Sequence, residues 1–207
     1  MIKVLVYGGE KNARRAAWFL GREMPLEIKC LTTEKDFLEL STAKIVKETD
    51  NALCPLIGRN EVIVLADPLN ALATEEILKN RYPEQKFVGY GHGIARLIKR
   101  LKAVYVVVAQ KIRRMEVYQR IKAECQQTEI RESDGWEWKE LIENGTPGKE
   151  EIMEKVRSAQ GAPIVVFHPE VPCFRMKEVV DWRNEVIDME EELLKSVKVE
   201  LGLKNWY

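Results

Sequence analysis

Short apolar, β-branched runs alternate with helix-length segments from one end of this chain to the other, and that alternation restricts the fold more than any single motif does. The runs fall at residues 2–6, 26–31, 62–66, 86–90, 103–109, 128–131, 163–167 and 185–187. Most are continuous apolar stretches without polar alternation, as expected of strands covered on both faces. Helical patterns occupy 12–22, 71–81, 94–101, 114–124, 136–143, 150–158, 177–183 and 189–201. A further helix is expected to open at Thr33 and Asp36, which resemble a capping box, and to carry Phe37, Leu40, Ile45 and Val46 on its apolar side. Strands that alternate with helices in this way form parallel sheets flanked by helices, so the fold class is α/β.

The chain has 207 residues, 45% of them apolar, which is enough for real cores in one large domain or two small ones. Thirty-three basic residues balance thirty-three acidic ones, so no global field draws the chain toward nucleic acid or an anionic membrane. The expected partner is a small molecule or a protein. The longest apolar runs are strand-sized and interrupted by charge, and we expect a cytoplasmic protein without a membrane segment. The cysteines at 30, 54, 125 and 173 are far apart, with no C-x-x-C pair and no histidine at ligand spacing. Neither a metal site, a disulfide framework nor a cofactor is expected. Cys30 and Cys125 close apolar patterns and read as buried structural thiols, whereas Cys173 lies beside a strand end.

Chemistry in open α/β folds gathers at the carboxyl ends of the strands. Two strands here end on acid–base residues: 62–66 runs into Asp67-Pro68, and 163–167 runs into His168-Pro169-Glu170. An aspartate and a histidine can move a proton, with Glu170 tuning the imidazole. The plainer reading makes Asp67 a helix cap and His168 an ordinary strand exit. The first strand ends at Gly8-Gly9, and the Gly91-His92-Gly93 turn would permit close backbone approach to a ligand or simply a tight crossing. Lys111, Arg113 and Arg114 precede a helical pattern and could hold an anion, or be a solvated helix start. For Trp136 and Trp138, core or lobe contact is expected rather than ligand stacking. Trp182, Trp206 and Tyr207 gather toward the C-terminus, where a tail ending Asn205-Trp206-Tyr207 would suit packing against a second subunit.

Taken in order, these pieces resemble glutamate racemase and the Asp/Glu racemase superfamily. The similarity rests on Phe87-Val88-Gly89, Gly91-His92-Gly93, the strand 104–108, Tyr118-Gln119-Arg120, and Trp136 followed by Leu141-Ile142-Glu143-Asn144-Gly145. A later strand, a turn ending at Pro172 and Glu185-Val186-Ile187-Asp188 before a helix complete it. The resemblance implies two Rossmann-like lobes with parallel sheets, residues 1–90 with 188–207 and residues 91–187, with the last helix returning to the first lobe. It also implies a small acidic ligand held between the lobes, and a homodimer.

The family's racemases use two cysteines in the motifs A-C-N-T and G-C-T-H. Those motifs meet Ala66-Asp67-Pro68-Leu69 and Phe167-His168-Pro169-Glu170 here, so neither cysteine is present. The family's D-S-G after the first strand meets Tyr7-Gly8-Gly9, and its hydroxyl-rich turn meets Ala109, Ile112 and Met115. A two-thiol glutamate racemization is therefore not expected. The resemblance instead suggests a small carboxylate ligand, with Asp67, His168 and Glu170 as acid–base candidates and Gly8, Gly9, His92, Lys111, Arg113 and Arg114 as binding candidates. The alternatives are a catalytically inactive anion-binding descendant and a protein-interaction descendant.

Overall fold

A computed structural model describes residues 1–143, 149–171, 173–180 and 184–203, with only the backbone described at His92, Lys149 and Phe174. The chain divides into two compact units, Met1–Gly93 with Glu190–Tyr207, and Ile94–Met189.

The first unit holds a four-stranded parallel sheet of β1 (Lys3–Gly9), β2 (Glu27–Thr33), β3 (Val62–Leu65) and β4 (Lys86–Val88), in the order β2-β1-β3-β4. Helices α1 (Glu10–Glu23), α2 (Thr42–Leu53) and α3 (Pro68–Arg81) connect the strands, with a 3-10 turn at Cys54–Leu56. All four residues of β3 are buried, as a central strand covered on both faces requires. The helix expected to open at Thr33 starts instead at Thr42, where the Ser41 hydroxyl accepts from the Lys44 amide. Thr33 is still in β2, and its hydroxyl accepts from the Lys35 amide while Asp36 accepts from that of Leu38. The two residues close local turns, a use that competes with helix capping. Cys30 lies on the edge strand β2 and is exposed, correcting its expected burial; Cys125 and Cys173 are buried.

The second unit repeats the plan with β5 (Ala103–Val108), β6 (Glu129–Asp134), β7 (Ile164–Phe167) and β8 (Val186–Ile187), again parallel, in the order β6-β5-β7-β8. Its connections include α5 (Gln110–Arg113), α6 (Glu116–Glu124), α7 (Gly135–Glu143), α8 (Lys149–Ser158) and α9 (Cys173–Val179), the last four residues earlier than its sequence pattern suggests. The alternating residues of β7 face opposite layers. Ile164 and Val166 pack with Tyr105, Val107, Trp138, Ile152 and Met176, while Phe167 stacks on Tyr118 at 6.3 Å. Trp138 is fully buried, with its indole N–H donating to Ser133 Oγ at 3.1 Å. Trp136 is 41% exposed and lies outside the core.

Helix α4 (Tyr90–Ile98) follows β4, and α10 (Met189–Glu200) follows β8. Residues of α10 pack back on the first unit, where Glu190 pairs with Arg15 at 2.5 Å and the Lys86 ammonium donates to the Glu200 carbonyl at 2.6 Å. None of the described helices is long and apolar enough to cross a membrane.

Candidate functional site

Each sheet has a point where consecutive connections leave in opposite directions, and open α/β folds bind ligands in the crevice outside the carboxyl ends of the two strands that flank it. In the first unit these strands are β1 and β3, paired from Val4 with Val62 to Tyr7 with Leu65. In the second they are β5 and β7, paired from Tyr105 with Ile164 to Val108 with Phe167. Gly8, Gly9 and Asp67 stand at the first of these edges; Lys111, Arg113, Arg114, His168 and Glu170 follow the strands of the second.

Asp67 is a helix cap. Its Oδ1 accepts from the amides of Leu69 and Asn70, both at 3.0 Å, and its Oδ2 accepts from Asn12 Nδ2 at 2.8 Å. The residue is 4% exposed. Burial pushes its carboxyl above the usual aspartate value, against the lowering influence of those three donors. Pro68 at the first helical position has no amide to satisfy, which favours this start. Gly8 lies alongside, since a Cβ there would stand 3.4 Å from the Asp67 nitrogen; a Cβ on Gly9 would meet nothing within 4 Å.

His168 is 3% exposed and differently held. Its Nδ1 accepts from the Glu170 amide at 3.1 Å, so in the neutral ring the proton resides on Nε2. Among the described residues, buried Nε2 has no hydrogen-bond partner. Burial lowers the imidazole pKa from 6.5 to about 4; the carboxylates of Glu170 and Asp134 oppose that fall, and the Lys139 ammonium assists it. The ring meets the edge of Trp136, with centroids 5.5 Å apart. Lys139 lies over the Trp136 ring at 4.7 Å and pairs with Glu170 at 2.6 Å. Asp134 accepts from the Trp136 amide at 2.9 Å, capping α7.

The second edge thus brings together two of the sequence candidates, His168 and Glu170, with Asp134, Gly135, Trp136 and Lys139, which sequence reading did not assign to a site. The signal is present in Asp134-Gly135, an acidic cap and a glycine at a strand end, but the apolar pattern of that strand stops at 131. Lys111 and Arg113 are half-buried and Arg114 is exposed. They follow β5 in α5, which is only four residues long. The Arg113 guanidinium is close enough to Tyr118 to favour its phenolate, although burial and Glu132 push that phenol the other way more strongly. The His92 side chain, Trp182, Asn205, Trp206 and Tyr207 lie outside the described residues. Among the described residues no cluster of three His, Cys, Asp or Glu side chains is placed to hold a metal ion.

No protein-family model matches the chain, and no curated protein matches its sequence. Solved structures do match its fold. Glutamate racemase from Francisella tularensis, in complex with D-glutamate, superposes with a TM-score of 0.76 at 15% identity, covering 100% of this chain and 84% of that one. Glutamate racemase isoform RacE1 from Bacillus anthracis gives 0.76 at 12% identity, covering 99% and 83%. An aspartate racemase homologue from Pyrococcus horikoshii gives 0.65 at 16% identity, covering 97% and 100%. At these identities the likeness is one of fold, and the α/β architecture expected from the sequence is the architecture found.

Proposed function

We propose that this chain, which has the glutamate-racemase fold, is a divergent member of the Asp/Glu racemase superfamily that binds a small carboxylate-bearing metabolite at the carboxyl edge of its second sheet, with His168 as the recognising group. One observation carries the reading: a buried imidazole N–H without a partner among the described residues stands beside the switch point of the second sheet. An unmade hydrogen bond on a buried donor costs about 1–3 kcal/mol, and an acceptor oxygen from a ligand would recover it. The solved neighbour that holds D-glutamate supports a carboxylate as that acceptor. Lys111, Arg113 and Arg114, at the end of the adjacent strand, would add positive charge, and His92, Gly8 and Gly9 remain binding candidates by the resemblance.

The chemistry favours binding over proton transfer. Thiolate bases are absent from both strand ends. An imidazole whose pKa falls to about 4 is a neutral donor at physiological pH and a poor base. Asp67 already accepts three hydrogen bonds, which suits a structural carboxylate. A second reading has Asp67 and His168 sharing acid–base work, with Glu170 tuning the histidine, and it is supported by their matching positions after β3 and β7.

The test is a thermal-shift screen with D-glutamate, L-glutamate, succinate and malate. A ligand that binds only the folded state raises the melting midpoint. The binding reading predicts a shift that disappears in His168→Ala, and no midpoint change with any of these acids would refute it. Exchange of the α-proton into deuterated water, abolished by Asp67→Asn, would establish the second reading. By the same resemblance the protein would act as a cytoplasmic homodimer, which sedimentation of the full chain would check.

A further inference from the structure

Gly135, the first residue of α7, has no backbone reason to be glycine. The described glycines with left-handed φ are Gly58, Gly161 and Gly202, at 74°, 77° and 69°, and Gly135 is not among them. Glycine is also a poorer helix former than alanine. What excludes a side chain is the imidazole of His168. A Cβ on Gly135 would lie 2.1 Å from His168 Cδ2, 2.7 Å from Cγ and 3.0 Å from Nε2. Real Cβ atoms do not approach that closely, and a ring held at Nδ1 by the Glu170 amide cannot swing away without losing that bond.

We infer that Gly135 is the positioning residue of the His168 site: its missing Cβ lets the imidazole lie against the start of α7, where the Glu170 amide takes Nδ1 and leaves Nε2 as the proton-bearing nitrogen. The remaining contacts close the arrangement. Trp136 borders the ring, Asp134 caps the helix that carries Gly135, and the Lys139–Glu170 pair ties that helix to the strand exit bearing His168. Asp134, Glu170 and Lys139 are also the charged groups that act on the imidazole. Gly135 therefore acts on the chemistry without touching a ligand: it selects which nitrogen can donate. That the donated proton meets a carboxylate rests on the function proposed above; the selection itself does not.

A double-mutant cycle in the full chain tests the steric half. Gly135→Ala should lower the melting midpoint in the wild-type background, and should leave it unchanged or raise it in the His168→Ala background, where the ring is gone and helix propensity favours alanine. Equal losses in both backgrounds would overturn the inference, and the comparison survives even if the single variant fails to fold. The electronic half is read by long-range proton–nitrogen NMR of the imidazoles, a short spectrum because the chain has only His92 and His168. Near pH 7 the resonances lost in His168→Ala should be those of a neutral Nε2–H ring; an Nδ1–H ring would overturn the inference. Adding D-glutamate should move the Nε2 resonance. If that resonance stays still while the tautomer and the coupling hold, the carboxylate reading fails and the role of Gly135 stands.

Discussion

The two sheets follow the same strand order, yet the residues at their equivalent exits are used in opposite ways. After β3, Asp67 has both carboxylate oxygens occupied, by two amides of the helix it starts and by Asn12. After β7, His168 has one nitrogen occupied and the other buried without a partner among the described residues. Both residues are almost wholly buried, at 4% and 3% exposure, so solvent access does not distinguish them. Satisfaction does. A buried group whose hydrogen bonds are complete stabilises its fold, and one left incomplete in a well-packed domain points to something that completes it. On this comparison Asp67 is a structural joint, although the neighbouring Asn70 also keeps a buried Nδ2 without a partner among the described residues, and on the function proposed above His168 is the binding group.

The largest expected effect breaks the first side of the comparison. Asp67→Ala removes the cap of α3 and strands the Asn12 donor, and should cost about 2–4 kcal/mol in chemical denaturation. A loss near zero would mean that Asp67 is not holding the first unit together. Next comes pH, where the two exits should pull in opposite directions. His168 has its folded pKa lowered from 6.5 to about 4, so its contribution to stability is complete above 6.5 and is lost as pH falls through 4. The size is roughly 3 kcal/mol, and His168→Ala should flatten that part of the acid limb. Asp67 has its folded pKa raised above 3.8, so its contribution is complete below that value and is lost as pH rises through the folded pKa. Midpoints measured across pH 3.5–7.5 in the two single variants separate the two slopes. Smallest is Lys139→Met, which cuts a partly exposed ion pair and should cost about 0.5 kcal/mol. It also removes the cation over the face of Trp136, so a change in tryptophan emission with little change in midpoint is the expected result.

Much of this fold is legible in the sequence because its strands are continuous apolar runs and its helices carry regular apolar faces. Two of the readings that failed lie where burial is one-sided. Strand β6 extends through Glu132, Ser133 and Asp134, whose polarity hides a strand; at a sheet edge such residues can be tolerated. Cys30 looked buried for the converse reason, since an apolar run does not say whether its strand is central or at an edge. At the sites, sequence could place Asp67 and His168 at strand ends, and it offered the cap as one reading of Asp67. It could not find Asn12, which is 55 residues away from its partner, or Gly135, whose meaning depends on a ring 33 positions later. Those pairings exist only after the sheets have formed.

The most direct measurement compares the two exits in one assay: calorimetric titration of D-glutamate and succinate into wild type, His168→Ala and the exchanged pair Asn12→Asp with Asp67→Asn. The exchange keeps a carboxylate and an amide in contact while moving the charge from α3 to α1. The account predicts binding by the wild type and by the exchanged pair, and none by His168→Ala. Binding that survives in His168→Ala and vanishes in the exchanged pair would put the ligand at the first exit and contradict it.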